Sequence, residues 1–284
     1  MSLAFDTRGR VAVVTGAAGG IGAALADALS ARGCHLSLVD LRPEGLQATA
    51  ERARARGVTV GTTCCDLSDP ASVARVLADV KATHGRAAIL VNNAGVALGG
   101  RFEQVAADDF DWLMRINFHA VVNLTRAFLP LLRAEPSAQI VNISSIFGIV
   151  APPGQSAYCA AKFAVRGFSE SLRHELEAEG ASVGMTLVHP GGVKTGIADA
   201  ARLPQGADAA EVAARLALAR RALVMPPEQA AARILQAIER REPRVLVGND
   251  AVGAALMQRL FPVGYWKRMS RALARKMGVK ELPR

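Results

Sequence analysis

The segment TGAAGGIG, residues 15–22, separates a strand-like run from a helix-like run, and this junction decides the fold. The run before it, residues 10–15, is short and rich in valine, whereas the run after it, residues 21–32, carries apolar residues at helical spacing. Glycine permits positive φ and a close approach of the backbone to a ligand. A strand, a glycine-rich turn and a helix in this order predict an anion-binding turn at the first crossover of an open α/β sheet.

The same alternation of strand-like and helix-like runs continues to about residue 250. The strand-like runs are too apolar to have a face in water, as expected for a parallel sheet covered on both sides. We therefore predict the α/β class, with a doubly wound, Rossmann-like parallel sheet of about seven strands and helices on both faces. The predicted strands are 10–15, 34–39, 58–64, 88–92, 139–144, 182–188 and 244–248.

Residues 1–250 are predicted to form a single dinucleotide-binding and catalytic domain, because no linker and no repeat divides them. Within this domain, residues 192–225 are rich in alanine, and their glycines and prolines interrupt the rhythm of strands and helices. An insertion at the carboxyl end of a strand lies over the ligand crevice of an open sheet, so this segment is predicted to be a substrate lid. Residues 251–284 form a basic, amphipathic segment that we call the C-terminal extension.

Composition excludes several classes of protein. The 284 residues are 51% hydrophobic, yet no uncharged apolar run reaches the roughly 18 residues that cross a bilayer, and the first residues lack an apolar signal core. We therefore expect a soluble, cytoplasmic protein. The cysteines at 34, 64, 65 and 159 have no metal-ligand spacing, so we expect no metal site and four reduced thiols packed as small apolar groups.

Asp40, at the end of the second predicted strand, bears on which dinucleotide binds. A carboxylate at this position accepts hydrogen bonds from the adenosine ribose hydroxyls and repels a 2′-phosphate, which favours NAD over NADP. Arg42 lies two residues further along and could turn toward such a phosphate. NAD is therefore the expected cofactor, and NADP is the alternative.

Seven motifs in order make the chain resemble the short-chain dehydrogenase/reductase family over nearly all of residues 8–248. They are TGAAGGIG (15–22), CDL (65–67), NNAG (92–95), Asn117, ISS (143–145), YCAAK (158–162) and PGGVKT (190–195). The glycine turn and the resemblance together imply that the cofactor is bound by Gly16, Ala18, Gly20, Ile21, Gly22, Asp40, Asp66, Leu67, Asn93, Ala94, Gly95, Tyr158, Lys162, Pro190, Gly191, Val193 and Thr195.

Tyr158 and Lys162, four positions apart, fall on one face of a predicted helix. An ammonium group one turn away favours the phenolate, so we expect it to lower the pKa of the tyrosine from its reference value of about 10. Tyr158 would then give a proton to a ketone that receives a hydride, or take one from an alcohol in the reverse direction. The resemblance implies that Lys162 also binds the nicotinamide ribose, that Ser145 hydrogen-bonds the substrate oxygen, and that Asn117 holds a water leading protons to solvent.

Residues 255–284 carry most of the positive charge, because eight lysines and arginines against one glutamate give +7 of the net charge of +9. A helix over 265–277 would place Tyr265, Met269 and Leu273 on one side and cations on the other. Such a helix could contact an anionic membrane surface, dock an acidic carrier, or lie over the body or a partner subunit with its charges in water. Nucleic acid is not an expected partner, since no binding motif accompanies the basic residues.

The predicted function is an NAD(P)-dependent oxidoreductase that interconverts a secondary alcohol and a ketone. Ile146, Phe147 and Val150, after the serine motif, predict an apolar small-molecule substrate. One alternative is a 3-ketoacyl reductase acting on carrier-bound acyl chains, although Asp40 disfavours it because the family's acyl-carrier reductases usually use NADPH. Another is a non-catalytic dinucleotide-sensing module, which would not need a proton relay. The resemblance implies a homodimer or a homotetramer.

Overall fold

The computed structural model describes residues 5–204 and 209–277. The strands of its sheet are β1 (Val11–Thr15), β2 (His35–Asp40), β3 (Val60–Cys64), β4 (Ile89–Asn92), β5 (Ala138–Ile143), β6 (Val183–Pro190) and β7 (Arg244–Val247). Their order is β3-β2-β1-β4-β5-β6-β7, and all neighbours are parallel. The predicted fold class is confirmed, and each strand begins and ends within two residues of its predicted bounds.

Helices connect the strands and cover both faces of the sheet. They are α1 (Gly20–Ala31), α2 (Pro43–Arg54), α3 (Ala71–His84), α4 (Ala107–Met114), α5 (Ala120–Arg133), α6 (Ser156–Ala178), α7 (Ala209–Ala222), α8 (Pro227–Glu239), α9 (Asn249–Leu260) and α10 (Tyr265–Met277). Helices α1, α2 and α8 pack on one face of the sheet, and α3, α5 and α6 pack on the other.

The core is divided between the two faces because successive strand residues point to opposite sides. Val14 packs with Leu25 of α1 and Ile234 of α8, whereas its neighbour Val13 packs with Phe128 of α5. All five residues are fully buried. The central strands are therefore held from both sides, and the backbone at their carboxyl ends starts from a fixed position.

The thiols partly follow the prediction. Cys34, Cys65 and Cys159 are buried, and burial raises the pKa of Cys34 and of Cys159 to about 12. The expectation is wrong for Cys64, which is exposed. Cys64 ends β3, and β3 is an edge strand with part of its surface in water.

The extension does not leave the body of the protein. One apolar cluster beside the end of β5 joins both helices to the body of the protein. It contains Ala254 of α9, Tyr265 and Met269 of α10, and Ile149 and Val150. The predicted helix over 265–277 is confirmed. The helix lies over the body of the protein with its cations outward.

Candidate active site

The order of strands creates a crevice between the carboxyl ends of β1 and β4. The chain extends the sheet from β1 through β2 to β3 on one side, and from β4 through β5 and β6 to β7 on the other. Open α/β sheets bind ligands at such a switch point. Most of the predicted site residues follow the carboxyl end of a strand at this edge, so the sheet brings distant parts of the sequence together.

The glycine turn forms a cradle with no room for side chains. Gly16 has φ +67°, and a Cβ there would lie 2.7 Å from the Asn93 Nδ2 atom. A Cβ on Gly22 would overlap the carbonyl oxygen of Gly16. Helix α1 starts after Gly19 without a side-chain cap, so its first N–H groups point toward the crevice. This arrangement suits a pyrophosphate, whose charge is also favoured by the positive end of the helix dipole.

Thr15 and Asn93 lock this cradle to the neighbouring strand. The Thr15 hydroxyl accepts hydrogen bonds from the N–H groups of Asn93 (2.9 Å) and Ala94 (3.0 Å) and donates to the carbonyl of Val91 (3.2 Å). The Asn93 amide donates to the Thr15 carbonyl at 2.8 Å. The NNAG turn therefore holds the glycine turn directly. Sequence reasoning missed Thr15, whose only signal was its place between β1 and the first glycine.

Asp40 points back at the glycine turn from the end of β2. Its Oδ2 accepts the N–H of Ala18 (2.9 Å), and its Oδ1 accepts the N–H of Arg42 (3.0 Å). The Arg42 guanidinium lies 3.5 Å from Oδ1, and its Nη2 is 3.3 Å from where a Cβ on Gly19 would be. The carboxylate and the guanidinium thus stand together beside the glycine turn.

Asp66 and Leu67 follow β3, at the far side of the crevice from α6. The Asp66 Oδ1 accepts the N–H of Ser68 at 2.8 Å, and the residue is exposed. Leu67 is buried in the apolar layer under β3. The pair therefore shapes this end of the crevice, with a carboxylate at its surface.

Tyr158 and Lys162 lie one turn apart near the start of α6, as predicted. The Lys162 Nζ atom is 5.6 Å from the centre of the Tyr158 ring and donates to the Ile143 carbonyl at 3.0 Å. Ser145, two residues beyond Ile143, contacts the Tyr158 hydroxyl, and its Oγ accepts the N–H of Phe147 at 3.1 Å. Three of the four predicted catalytic residues therefore converge where β5 meets α6.

Asn117, the fourth, occupies a π-helical turn, Arg115–His119, between α4 and α5. Its side chain is fully buried and holds the backbone of Val96 from both sides, accepting from the N–H (2.8 Å) and donating to the carbonyl (2.9 Å). A Cβ on Gly95 would lie 3.3 Å from the Asn117 Oδ1 and 3.6 Å from the Lys162 Nζ. Asn117 is therefore linked to Lys162 through the turn at residues 95–96. Both its amide oxygen and its amide nitrogen hydrogen-bond to the backbone of Val96.

The predicted effect of Lys162 on Tyr158 is not what the structure shows. Burial raises the pKa of Tyr158 to about 12, and the hydrogen bond from Ser145 only partly opposes this rise. Burial also lowers the pKa of Lys162 to about 8. Desolvation dominates at both groups, and the ammonium lies beside the ring, 5.6 Å from its centre, rather than at the hydroxyl.

His189 supports Ser145 from the next strand. It is fully buried in β6, and its Nδ1 lies 2.8 Å from the Ser145 carbonyl. Burial lowers the pKa of His189 to about 4, so the imidazole is neutral at pH 7 and Nδ1 carries the proton that it donates to this carbonyl. The only sequence signal for this contact is the position of His189 immediately before the PGGVKT motif.

The PGGVKT segment closes over the glycine turn. Thr195 brings its Cγ2 to 3.0 Å from the position of a Cβ on Gly20. The Gly192 N–H donates to the Asp250 Oδ2 at 2.7 Å, and Gly191 contacts the same carboxylate. Asp250, in the first turn of α9, was not predicted. This side of the crevice is therefore formed by Pro190, Gly191, Val193 and Thr195.

Residues 193–204 cross the crevice and are fastened at both ends. Val193 pairs with Met225, and Arg202 pairs with Leu98. The Arg202 guanidinium stacks 3.6 Å above the Trp112 ring and donates to Asp109 at 2.8 Å. The segment predicted to be a lid therefore spans from β6 to the loop after β4.

Of the three apolar residues expected to line the substrate pocket, two lie beside Tyr158 and one does not. Phe147 is half-buried and meets the Tyr158 ring edge-on, with ring centres 6.1 Å apart, and Ile146 is half-buried beside it. Val150 is 1% exposed and packs against Ala254 of α9, so it does not line an open pocket. The extension covers this residue, which the sequence could not indicate.

An apolar groove of about 470 Å³ lies beside this wall. It runs between Phe102, residues 151–154 and Trp266 of α10. Cys159 of α6 faces the groove, whereas Tyr158 lies about 100° around the helix. The groove is therefore adjacent to Tyr158 and separate from its hydroxyl.

Comparison with known proteins agrees with this geometry. A family model described as short chain dehydrogenase matches residues 10–206. The SadH protein of Mycobacterium tuberculosis is 39% identical over 267 residues, covering 94% of this chain and 96% of that protein.

Two solved structures are also similar. A short-chain dehydrogenase/reductase from Burkholderia phymatum in complex with NAD has a TM-score of 0.85 at 30% identity and covers 91% of this chain and 95% of its own. A metagenomic short-chain oxidoreductase in complex with NADP has a TM-score of 0.70 at 32% identity and covers 86% and 98%. The chain belongs to the short-chain dehydrogenase/reductase family.

Proposed function

We propose that this member of the short-chain dehydrogenase/reductase family is an NAD-dependent oxidoreductase that interconverts a secondary alcohol and a ketone, with Tyr158 as general acid and base. The observation that carries the proposal is the convergence of Tyr158, Lys162 and Ser145 beside an uncapped, glycine-rich helix start. Each part has an ordinary structural use alone, but together they supply an anion site and a proton donor in one crevice.

The described residues fit a nicotinamide dinucleotide. The cradle at Gly16 and Gly22 excludes side chains and leaves room for a pyrophosphate, and the Asp40 carboxylate stands where a ribose would follow. The two similar structures named above contain NAD and NADP, which supports a ligand of this kind. When bound, the dinucleotide supplies or accepts the hydride.

The residues of the chain supply the proton and the orientation. The raised pKa keeps Tyr158 protonated at neutral pH, ready to donate to a ketone oxygen. The Ser145 Oγ accepts the N–H of Phe147 and lies beside the Tyr158 hydroxyl, so its O–H would turn to the same ketone oxygen when the substrate binds. Lys162 uses one N–H on the Ile143 carbonyl, and its remaining N–H groups would meet the nicotinamide ribose.

Asp40 supports NAD as the cofactor. A carboxylate that is only 9% exposed and points at the glycine turn would repel a 2′-phosphate at short range. Arg42 is 67% exposed along its side chain and could offset this repulsion. Titration with NADH and NADPH tests the choice: NADH should bind more tightly, and replacement of Asp40 by serine should shift the preference toward NADPH because Arg42 remains. Tighter NADPH binding by the unchanged protein would overturn the proposal of NAD.

The catalytic role is tested by a pair of matched variants, since the chain has two tyrosines. Tyr158→Phe should reduce turnover of secondary alcohols by about 10²- to 10⁴-fold while NADH binding stays within a few-fold, because only the proton transfer is lost. Tyr265→Phe removes a hydroxyl from α10 and should leave turnover near that of the unchanged protein. Unchanged turnover in Tyr158→Phe would refute the assignment, and would favour a different residue as the acid.

The substrate is proposed to be apolar and moderately large, because Phe147 and Ile146 stand beside Tyr158 and residues 193–204 cover the crevice. A series of secondary alcohols of increasing chain length, assayed with both cofactors, should show kcat/KM rising with apolar surface. A 3-ketoacyl reductase would instead require the carrier-bound acyl chain.

A homodimer or homotetramer is also proposed, and light scattering after gel filtration would measure the mass of the assembly. The cytoplasmic location stays a prediction.

A further inference from the structure

Helix α9 carries a row of apolar side chains that the body of the protein does not cover. Val252, Leu256 and Leu260 recur every four residues and are 49%, 56% and 61% exposed. The opposite side of the same helix is used in the fold, since Ala251 and Ala254 are buried. A row at this spacing lies on one helix face and points away from the body.

The turn between α9 and α10 continues the apolar row. Val263 is 95% exposed and Phe261 is 37% exposed. The turn is held in place by Arg268, whose guanidinium lies 3.9 Å above the Phe261 ring and donates to the Gly264 carbonyl at 3.3 Å. An apolar, stiffened turn therefore stands out from the surface.

Helix α10 adds cations to the same outward surface. Its apolar side is taken by the body: Tyr265 accepts the N–H of Ala151 at 2.9 Å, Met269 joins the cluster that holds Ala254, and Ala274 is 5% exposed. The opposite side therefore points outward, as the outer side of α9 does, and it exposes Lys267, Arg268, Arg271 and Arg275. No carboxylate in the described part of the chain forms a salt bridge with these four side chains.

We propose that this surface, formed by Val252, Leu256, Leu260, Val263 and the outward cations of α10, docks the protein on an anionic lipid bilayer. Peripheral membrane binding needs two kinds of side chain together. Apolar side chains enter the lipid interface, and neighbouring lysines and arginines contact the lipid phosphates. The apolar contribution comes from α9 and the turn, whereas the sequence had assigned it to α10. No helix described for residues 5–204 and 209–277 could span a bilayer, so the contact is peripheral.

Charge favours the bilayer over a second copy of the chain. A symmetric contact brings the same surface of two copies together. It would therefore set the cations of one α10 close to those of the other, at a net charge of +9 per chain. Val263, which is 95% exposed in the turn, can also enter a fluid lipid interface without a matching pocket on a protein partner.

Sedimentation with vesicles tests the proposal. The full chain is mixed with phosphatidylcholine vesicles with and without phosphatidylglycerol, and the bound fraction is measured at several salt concentrations. We expect binding to the anionic vesicles, weakening with salt, and at least tenfold weaker binding to phosphatidylcholine alone. No binding to either kind of vesicle overturns the proposal.

Two triple variants separate the apolar and the charged parts. One variant removes the apolar side chains, Leu256→Ser/Leu260→Ser/Val263→Ser, and the other reverses the charges, Lys267→Glu/Arg271→Glu/Arg275→Glu. Each should reduce vesicle binding at least tenfold. Because all six side chains are exposed, circular dichroism should show an unchanged fold. The matched control is Arg8→Glu/Lys81→Glu/Arg126→Glu, which changes the net charge equally at exposed sites outside the extension.

The outcomes decide between the bilayer and its rivals. Retained binding in the control triple supports a specific surface, whereas equal loss in both charge triples would mean attraction by net charge alone and would overturn the proposal. Loss of a dimer in the serine triple without any effect on vesicle binding would assign the surface to a second copy. Binding of an acidic protein with no vesicle binding would likewise overturn it.

Discussion

Replacing Lys162 by methionine is expected to make the cofactor-free protein more stable at pH 7 while it abolishes turnover. Lys162 is 4% exposed, and burial lowers its pKa from 10.5 to about 8. At about 1.4 kcal/mol per pKa unit, keeping the ammonium charged in this position costs about 3 kcal/mol. Methionine keeps the apolar stem and loses the hydrogen bond to Ile143, which contributes about 1 kcal/mol.

The expected net gain is therefore about 2 kcal/mol, or roughly 4 °C in Tm for a domain of this size. The gain should depend on pH in a defined direction. Below pH 8 the lysine is charged in both the folded and the unfolded chain, so the full cost is present. Between pH 8 and 10.5 the unfolded chain binds more protons than the folded chain, so the unchanged protein gains stability and approaches the variant.

Thermal unfolding followed by circular dichroism from pH 7 to pH 10.5 measures this difference. Above pH 10 the Tyr158 hydroxyl, whose pKa is raised from 10.0 to about 12, lowers the free energy of unfolding, because the folded chain then holds a proton that the unfolded chain has lost. This decrease occurs in both proteins, so it cancels in the comparison. Lys81→Met, at an exposed position of α3, is the control and should change nothing. A variant that is less stable at pH 7, or a difference that does not shrink with pH, would refute the argument that charge burial dominates at this site.

Pairs of substitutions at three further positions test the contacts that hold the crevice. Thr15→Val should lower the free energy of unfolding by about 2–3 kcal/mol in urea, because two N–H groups lose their acceptor, whereas Thr15→Ser should cost much less. Asp250→Ala should weaken NADH binding in a titration by freeing Gly192, and Asp250→Asn, which keeps an acceptor oxygen, should largely restore it. Arg202→Ala should raise KM for the alcohol about tenfold by releasing the segment over the crevice, with Arg202→Lys intermediate because it keeps the charge and loses the flat stack on Trp112. Equal effects of Ala and Lys would mean that the charge paired with Asp109 contributes nothing, whereas a Lys variant with an unchanged KM would mean that the stack contributes nothing.

The parts of the fold that depend on local pattern were predictable. The strands are valine- and isoleucine-rich runs between helical runs, and burial of both sheet faces makes such runs continuous rather than alternating. The Tyr158 and Lys162 pair was visible for the same reason, because four positions on a helix fix which side chains are neighbours. What these features share is that their cause lies within a few residues of sequence.

The missed residues depend on contacts between distant segments. Asp250 and Gly192 are 58 positions apart and meet only because β6 and β7 are neighbours. Thr15 bonds to the turn after β4 because β1 and β4 are neighbours. His189 bonds to Ser145 because β5 and β6 are neighbours. The direction of the Tyr158 pKa was predicted wrongly because it is set by burial, which spacing on a helix does not report.

The contacts of residues 249–277 also have a consequence for how the protein is made. Asp250, in the first turn of α9, fixes the backbone at Gly192, so one side of the crevice is completed by a helix that follows the sheet. The chain leaves the ribosome amino terminus first, and a domain generally folds as a unit. A nascent chain that ends before α9 would hold every strand of the sheet without the contact that fixes Gly192, so the dinucleotide would be captured firmly only after α9 has left the ribosome.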